Sequence, residues 1–287
     1  MRLFVLNPVA GHGKARSLLM KIREVFPNDT VAETQYSGHA TEITSDAARS
    51  GKYDAVIAVG GDGTVSEVAA GLRGTRLSLG ILPAGTGNDT CRGYRIPVDF
   101  DKASEIIRQG KSKAVDIMSV DGQIHLNISS IGFDAQVVKN TEHLKRFGSV
   151  SYAMAVFLTL MKYRSTKVRM TIDGKINEGS FYLAAVGCGT HYGGGMNVLP
   201  MADPCDGYMD LCLIDPVSFF TVIRVLPAFM KGKHGKLSCV HFQRVKHILF
   251  EALDPKGYDL NMDGEVMQGV QRTDISILPS AQQVLMP

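Results

Sequence analysis

Three glycine-rich stretches carry side chains able to handle phosphate: Asn7-Pro8-Val9-Ala10-Gly11-His12-Gly13-Lys14, Gly60-Gly61-Asp62-Gly63-Thr64 and Pro83-Ala84-Gly85-Thr86-Gly87-Asn88-Asp89. Glycine lets backbone N–H groups approach an anion closely, and a helix opening behind such a loop favours negative charge. The second stretch is the most informative, because a plain turn rarely needs three glycines around one carboxylate. Asp62 suits a metal ion there, and Thr64 suits a helix cap or a phosphate contact. In the third stretch Thr86 and Asn88 offer phosphate or ribose contacts, and Asp89 adds a second carboxylate. Asp116, closing Lys113-Ala114-Val115-Asp116, is a third candidate; by itself it reads equally as a surface carboxylate. Carboxylates gathered near a polyphosphate need a cation, and Mg²⁺ fits. The first stretch is not a P-loop, since Ala15 follows Lys14, and Arg16 breaks GxGxxG. Alone it reads equally as a tight turn or an anion cradle.

The elements that must position these loops follow from hydrophobic pattern. Leu3–Leu6, Tyr53–Val59 and Leu77–Leu82 are short apolar runs, each ended by Gly or Pro signals, and predict buried strands. Helical spacing marks Lys14–Phe26, Val65–Leu72 and the region of Ala103–Ile107. Strand–helix alternation implies a parallel sheet covered on both faces, with ligands outside the carboxyl ends of its strands. All three glycine stretches lie at those ends. The second half differs. Asp121-Gly122 and Asp173-Gly174 are hairpin signals, and strands are expected at 181–187, 208–214, 237–243, 245–252 and 258–263. Helical stretches are expected near 149–163 and 218–231. The prediction is an α/β domain over 1–118, with 275–287 optionally returning to it, and a mostly antiparallel, sandwich-like β-rich domain over 119–274.

Composition narrows the class. The 287 residues are 45% hydrophobic and 21% charged, with a net charge of +3. That excludes general disorder and gives no electrostatic case for nucleic-acid binding. Five cysteines without CxxC spacing read as free thiols in a reducing cytoplasm. No apolar run reaches the roughly 18 residues of a spanning helix.

NPVAG near the start, GGDGT, PAGTGND and a late DGE together resemble the diacylglycerol kinase catalytic-domain family, in its compact bacterial lipid-kinase branch. GGDGT alone is shared with NAD kinases and 6-phosphofructokinases. The resemblance implies two domains with the nucleotide between them. It implies ATP contacts from Asn7, Pro8, Val9, Ala10 and Gly11, from Thr41, from Gly61, Asp62, Gly63, Thr64, Val65, Ser66 and Glu67, and from Thr86, joined by Asn88. The Mg²⁺ network maps to Asp62, Asp89 and Asp116, and the general base to Glu265. A second, structural Mg²⁺ maps to the Asp206 side chain and the carbonyls of Asp203 and Tyr208; a plain Asp-Gly turn is the equal alternative. The expected activity is ATP-dependent phosphorylation of a lipid hydroxyl, diacylglycerol first, by a peripheral protein at a membrane surface. A homodimer stays open. The alternatives are a soluble-acceptor kinase of the NAD kinase type and a non-catalytic nucleotide sensor.

Overall fold

A computed structural model describes residues 1–144, 159, 163 and 165–287, except 263. Two compact units emerge: Met1–Ile117 with Asp203–Gly207 and Leu278–Pro287, and Met118–Ala202 with Tyr208–Ile277. The segment Asp203–Gly207 joins the first unit, whereas the sequence reading placed it within the second domain.

The first unit is built on β1 (Arg2–Leu6), β2 (Thr30–Glu33), β3 (Ala55–Gly60) and β4 (Ser78–Pro83), parallel in the order β2-β1-β3-β4. Phe4, Val5, Leu6 and Val56–Val59 are fully buried, as expected of strands covered on both faces. The covering helices are α1 (Lys14–Ser17), α2 (Leu19–Val25), α3 (His39–Ser50), α4 (Asp62–Gly71), α5 (Asp89–Gly93) and α6 (Phe100–Gln109). Lys14–Phe26 is therefore two helices rather than one, although Leu18, Ile22 and Phe26 still form its buried stripe. In α6, the Asp99 side chain accepts from Lys102 N–H at 3.0 Å and Gly110 closes the helix at φ 65°. The strand β5 (Ser112–Val120) follows.

The second unit is a β-sandwich. One sheet is antiparallel throughout, β14-β13-β10-β7-β16-β17, made of β7 (Ile128–Gly132), β10 (Leu183–Gly187), β13 (Met209–Ile214), β14 (Val240–Val245), β16 (Tyr258–Met262) and β17 (Glu265–Val270). Facing it are β6 (Gln123–His125), β8 (Thr166–Ile172), β9 (Lys175–Phe181), β15 (His247–Ala252) and the start of β18 (Arg272–Leu285). Side chains from both sheets fill one core, including Ile131, Val186, Leu211 and Leu260 from the first and Met170, Ile248, Phe250 and Ile275 from the second. The hairpin signals hold: Asp121 and Gly122, like Asp173 and Gly174, all have positive φ, the conformation of a two-residue type I′ turn. The helix α7 (Phe133–Leu144) packs on β7, β16 and β17. Most of the expected 149–163 helix lies outside the described residues.

Candidate active site

The three glycine stretches leave β1, β3 and β4 at the carboxyl ends of adjacent parallel strands. They are knitted backbone to backbone. Asn7 N–H donates to the Val59 carbonyl at 3.0 Å, and the N–H groups of Ala84 and Gly85 donate to the Gly60 carbonyl at 2.8 and 3.0 Å. A Cβ on Gly85 would stand 2.4 Å from Gly61 Cα, and one on Gly11, where φ is +59°, 2.0 Å from the Ala84 carbonyl oxygen. These glycines thus serve contact between loops, whereas Gly13 and Gly63 have open space where a side chain would go.

Side chains lock the same edge. Asn7 Nδ2 donates to Thr64 Oγ1 at 3.1 Å, fixing the first loop to the start of α4. Asn88, held at φ 53°, accepts from Gly85 N–H at 3.0 Å and donates to the Gly85 carbonyl at 2.8 Å. Asp62 Oδ1 accepts from Thr90 N–H and Thr90 Oγ1, both at 2.9 Å. A Cβ on Gly87 would fall 2.9 Å from Asp62 Oδ2 and 3.4 Å from Asp89 Oδ2. The two carboxylates therefore face one point that glycine leaves open. Asp89 is buried and pairs with Arg92 at 3.1 Å. Beneath them burial, and then the Asp62 charge, push the Cys91 thiol up to about 12, which keeps it an unreactive thiol.

The remaining expected nucleotide contacts differ in kind. Val9 and Thr86 are exposed, Pro8, Ala10 and Gly11 are half-buried, and Val65 is buried in the core. Thr41 Oγ1 donates to the Glu67 carbonyl at 2.9 Å, and Glu67 Oε2 accepts from Ala40 N–H at 3.1 Å. Glu67 thus caps α3 from α4, since Gly38 at the N-cap has no side chain to do it.

Asp116 stands apart from the Asp62–Asp89 pair in its bonding. Its buried carboxylate accepts from Gly207 N–H at 2.6 Å and Ser280 N–H at 2.7 Å, and its own N–H donates to the Pro204 carbonyl at 2.7 Å. It ties Asp203–Gly207 and the end of β18 into the first unit. Asp116→Ala strips partners from two backbone donors, each costing about 1–3 kcal/mol. Urea unfolding should show the midpoint falling; an unchanged midpoint would deny the tether any weight. In the 203–207 loop, Asp203 Oδ1 accepts from Cys205 N–H at 3.0 Å. The Arg244 and Lys246 cations lie 4.7 and 4.9 Å from the centre of the Tyr208 ring.

In the second unit Glu265 is exposed and opens β17, where it pairs with Met262 across a connection whose described member, Gly264, has φ 93°. Asp263 lies outside the described residues. Asn261 Oδ1 accepts from Gly264 N–H at 3.1 Å. Asn261 Nδ2 donates to Asp134 Oδ2 at 2.9 Å, and Ser130 Oγ donates to the same oxygen. Burial raises the Asp134 carboxyl above its ordinary range, opposed by bonds from Ser130, Asn261, the Ala135 N–H and Tyr192.

Residues 2–120 match the family model for the diacylglycerol kinase catalytic domain, and residues 127–286 match the YegS C-terminal NAD kinase beta sandwich-like domain. A diacylglycerol kinase of Mycobacterium tuberculosis is 30% identical across 98% of this chain and 93% of its own length. The chain belongs to the diacylglycerol kinase family. A YegS-like lipid kinase, by name, of Pseudomonas aeruginosa is 31% identical over 97% of the chain and 91% of its own length. The crystal structure of a diacylglycerol kinase from Bacillus anthracis superposes with a TM-score of 0.73 at 25% identity, covering 100% of this chain and 96% of the other. A further crystal structure from that organism gives 0.81 at 27%, covering 100% and 95%. Membership makes this a phosphotransferase of the kinase class.

For a diacylglycerol kinase-family chain, the donor set at Gly87 can be tested against Mg²⁺. Two carboxylates facing one open point suit that ion, which keeps waters and takes phosphate oxygens rather than an all-protein cage. Among the described residues, no group of three or more His, Cys, Asp or Glu side chains stands together as a metal set. Sequence reasoning missed Thr90, which positions Asp62, and the Ser130–Asp134–Asn261 cluster. The signal for the cluster is present in the chain: Ser129-Ser130 interrupts an otherwise apolar strand four residues before Asp134.

Proposed function

We propose that the protein transfers the γ-phosphoryl group of ATP to a lipid hydroxyl, with diacylglycerol as the first candidate acceptor. The observation that carries this reading is the joining of three glycine loops at one sheet edge, with Asp62 and Asp89 facing a common open point. Phosphoryl transfer asks chiefly for positioning and charge neutralisation. Asn7–Gly11, Gly61–Glu67 and Thr86 would line the nucleotide site, while the side chains of Asn7, Thr64 and Asn88 hold the loops in shape. Asp62 and Asp89 would hold Mg²⁺, which neutralises developing phosphate charge when bound. Glu265 takes the proton of the acceptor hydroxyl. The deciding experiment is incubation with labelled ATP, Mg²⁺ and a panel of diacylglycerols, other lipids and nucleotides. A labelled lipid supports the reading. A labelled dinucleotide favours the NAD kinase type, and ATP binding without any product favours a sensor.

The Asp203–Tyr208 loop is proposed as a second Mg²⁺ site through the Asp206 side chain and the Asp203 and Tyr208 carbonyls. Mg²⁺ should then raise the unfolding temperature of wild type and not of Asp206→Ala, because only a cation bound to the folded state stabilises it. An equal shift in both removes the site.

Reaching a bilayer acceptor requires surface docking, since among the described residues no helix is long and apolar enough to cross a membrane. In the segment Phe219–Lys236, Phe220 is 80% exposed and Met230 49%, and Lys231, Lys233 and Lys236 are exposed beside them. Phe229 of the same segment does not contribute to this surface: it is buried, its ring centre 3.8 Å from that of His234. A mixed apolar and basic edge suits anionic lipid. The protein should float with anionic vesicles at low salt and be released at high salt; a Phe220→Ser variant should float less. Equal recovery with and without vesicles counts against docking.

A further inference from the structure

The second unit buries an unusual cluster. Ser130 and Asn261 are cross-strand partners on β7 and β16, and both are buried. Their strand neighbours Ile131, Leu260 and Met262 face the sandwich core, so by alternation Ser130 and Asn261 occupy the opposite face, under α7. Asp134, the second residue of α7, brings a buried carboxylate onto them. Two residues on, Gln136 Nε2 donates to Asp259, again on β16. A carboxylate in an apolar interior is costly unless its bonds are used, and a plain helix–sheet contact does not require one.

The chemistry of the amide shows what the carboxylate does. A carboxylate only accepts, so the Asn261 side chain must turn Nδ2 toward Asp134. Its Oδ1 is then left facing the other way, onto Gly264 N–H at 3.1 Å. Without the carboxylate only the Gly264 N–H and the 3.4 Å bond from Nδ2 to Ser130 Oγ hold the amide's orientation, and a flip would set one donor against another at Gly264. The same hairpin carries Glu265, paired with Met262 directly after Gly264.

Resting on the reading of Glu265 as the base, we propose that Asp134 is a positioning residue for it: with Ser130, it orients the Asn261 amide, which holds the backbone that carries Glu265. The full chain acts through contacts within one unit, from α7 to β16 to the turn.

The test is a mutant cycle on the lipid phosphorylation assay with diacylglycerol in mixed vesicles. Asp134→Ala should lower kcat by about tenfold or more with the KM for ATP changed by less than about twofold. Asp134→Asn, which still offers Asn261 an acceptor, should restore kcat to within about threefold of wild type. In a Glu265→Gln background Asp134→Ala should cause no further loss, since both changes act through one group. Equal losses in the two backgrounds, or wild-type kcat for Asp134→Ala, overturn the positioning role while leaving the base assignment in place. Wild-type kcat for Glu265→Gln overturns the base assignment itself, and the positioning role with it. Should Asp134→Ala fail to fold, Ser130→Ala, which removes one donor to the carboxylate, enters the same cycle with the same outcomes.

Discussion

Replacing Asp62 by alanine is expected to reduce ATP turnover by roughly 10²–10³-fold, the equivalent of several kcal/mol of transition-state charge stabilisation. The side chain does two things at once. Oδ2 looks toward the open point beside Gly87, and Oδ1 holds Thr90 by two bonds of 2.9 Å. Asp62→Ala therefore also carries a stability cost of about 1–3 kcal/mol for unsatisfied donors on Thr90. Asp62→Asn separates the roles, since its amide oxygen can still accept from Thr90. Steady-state kinetics with thermal unfolding should show Asp62→Asn stable and nearly as slow as Asp62→Ala. A rate near wild type in the asparagine variant would remove the charge from the mechanism.

Glu265→Gln should retain ATP binding and lose lipid phosphorylation by about 10²–10⁴-fold, the usual worth of a positioned base. The substitution keeps size and hydrogen bonding and removes basicity. Because Glu265 is exposed on its hairpin, folding should be untouched, so the loss would report chemistry alone. Nucleotide binding by calorimetry and product formation on lipid vesicles would be measured on the same preparation. Wild-type product formation would return Glu265 to the status of a solvated turn residue.

Much of this architecture was legible in the chain, for physical reasons that differ by element. Strands buried on both faces, such as β1 and β3, read as unbroken apolar runs, and the two Asp-Gly hairpins announce themselves through residues that tolerate positive φ. The strand β2 was not legible: Thr30–Glu33 alternates nothing, because as an edge strand it stays largely solvated. The glycine loops were visible, yet part of their purpose was not. Gly11 and Gly85 read as space for a ligand, and the structure shows that they leave room for neighbouring loops. Asp116 read equally as a third metal-directed carboxylate or a surface one; it is buried, and its oxygens accept backbone donors from Gly207 and Ser280, far away in sequence. Such long-range satisfaction of a buried carboxylate leaves no local pattern to read.

The strand β18 divides its pairing, Arg272–Ser276 with β15 in the second unit and Gln283–Val284 with β4 in the first. Gln282 also donates through its side chain to the Leu77 carbonyl, 205 residues earlier. During synthesis, then, the edge of β4 waits unpaired while the whole sandwich is being made. Closing so long a loop is entropically slow, and an open strand edge invites pairing with other chains meanwhile. A fragment ending near residue 120 should accordingly be aggregation-prone, and folding of the first unit should be the late step rather than the early one.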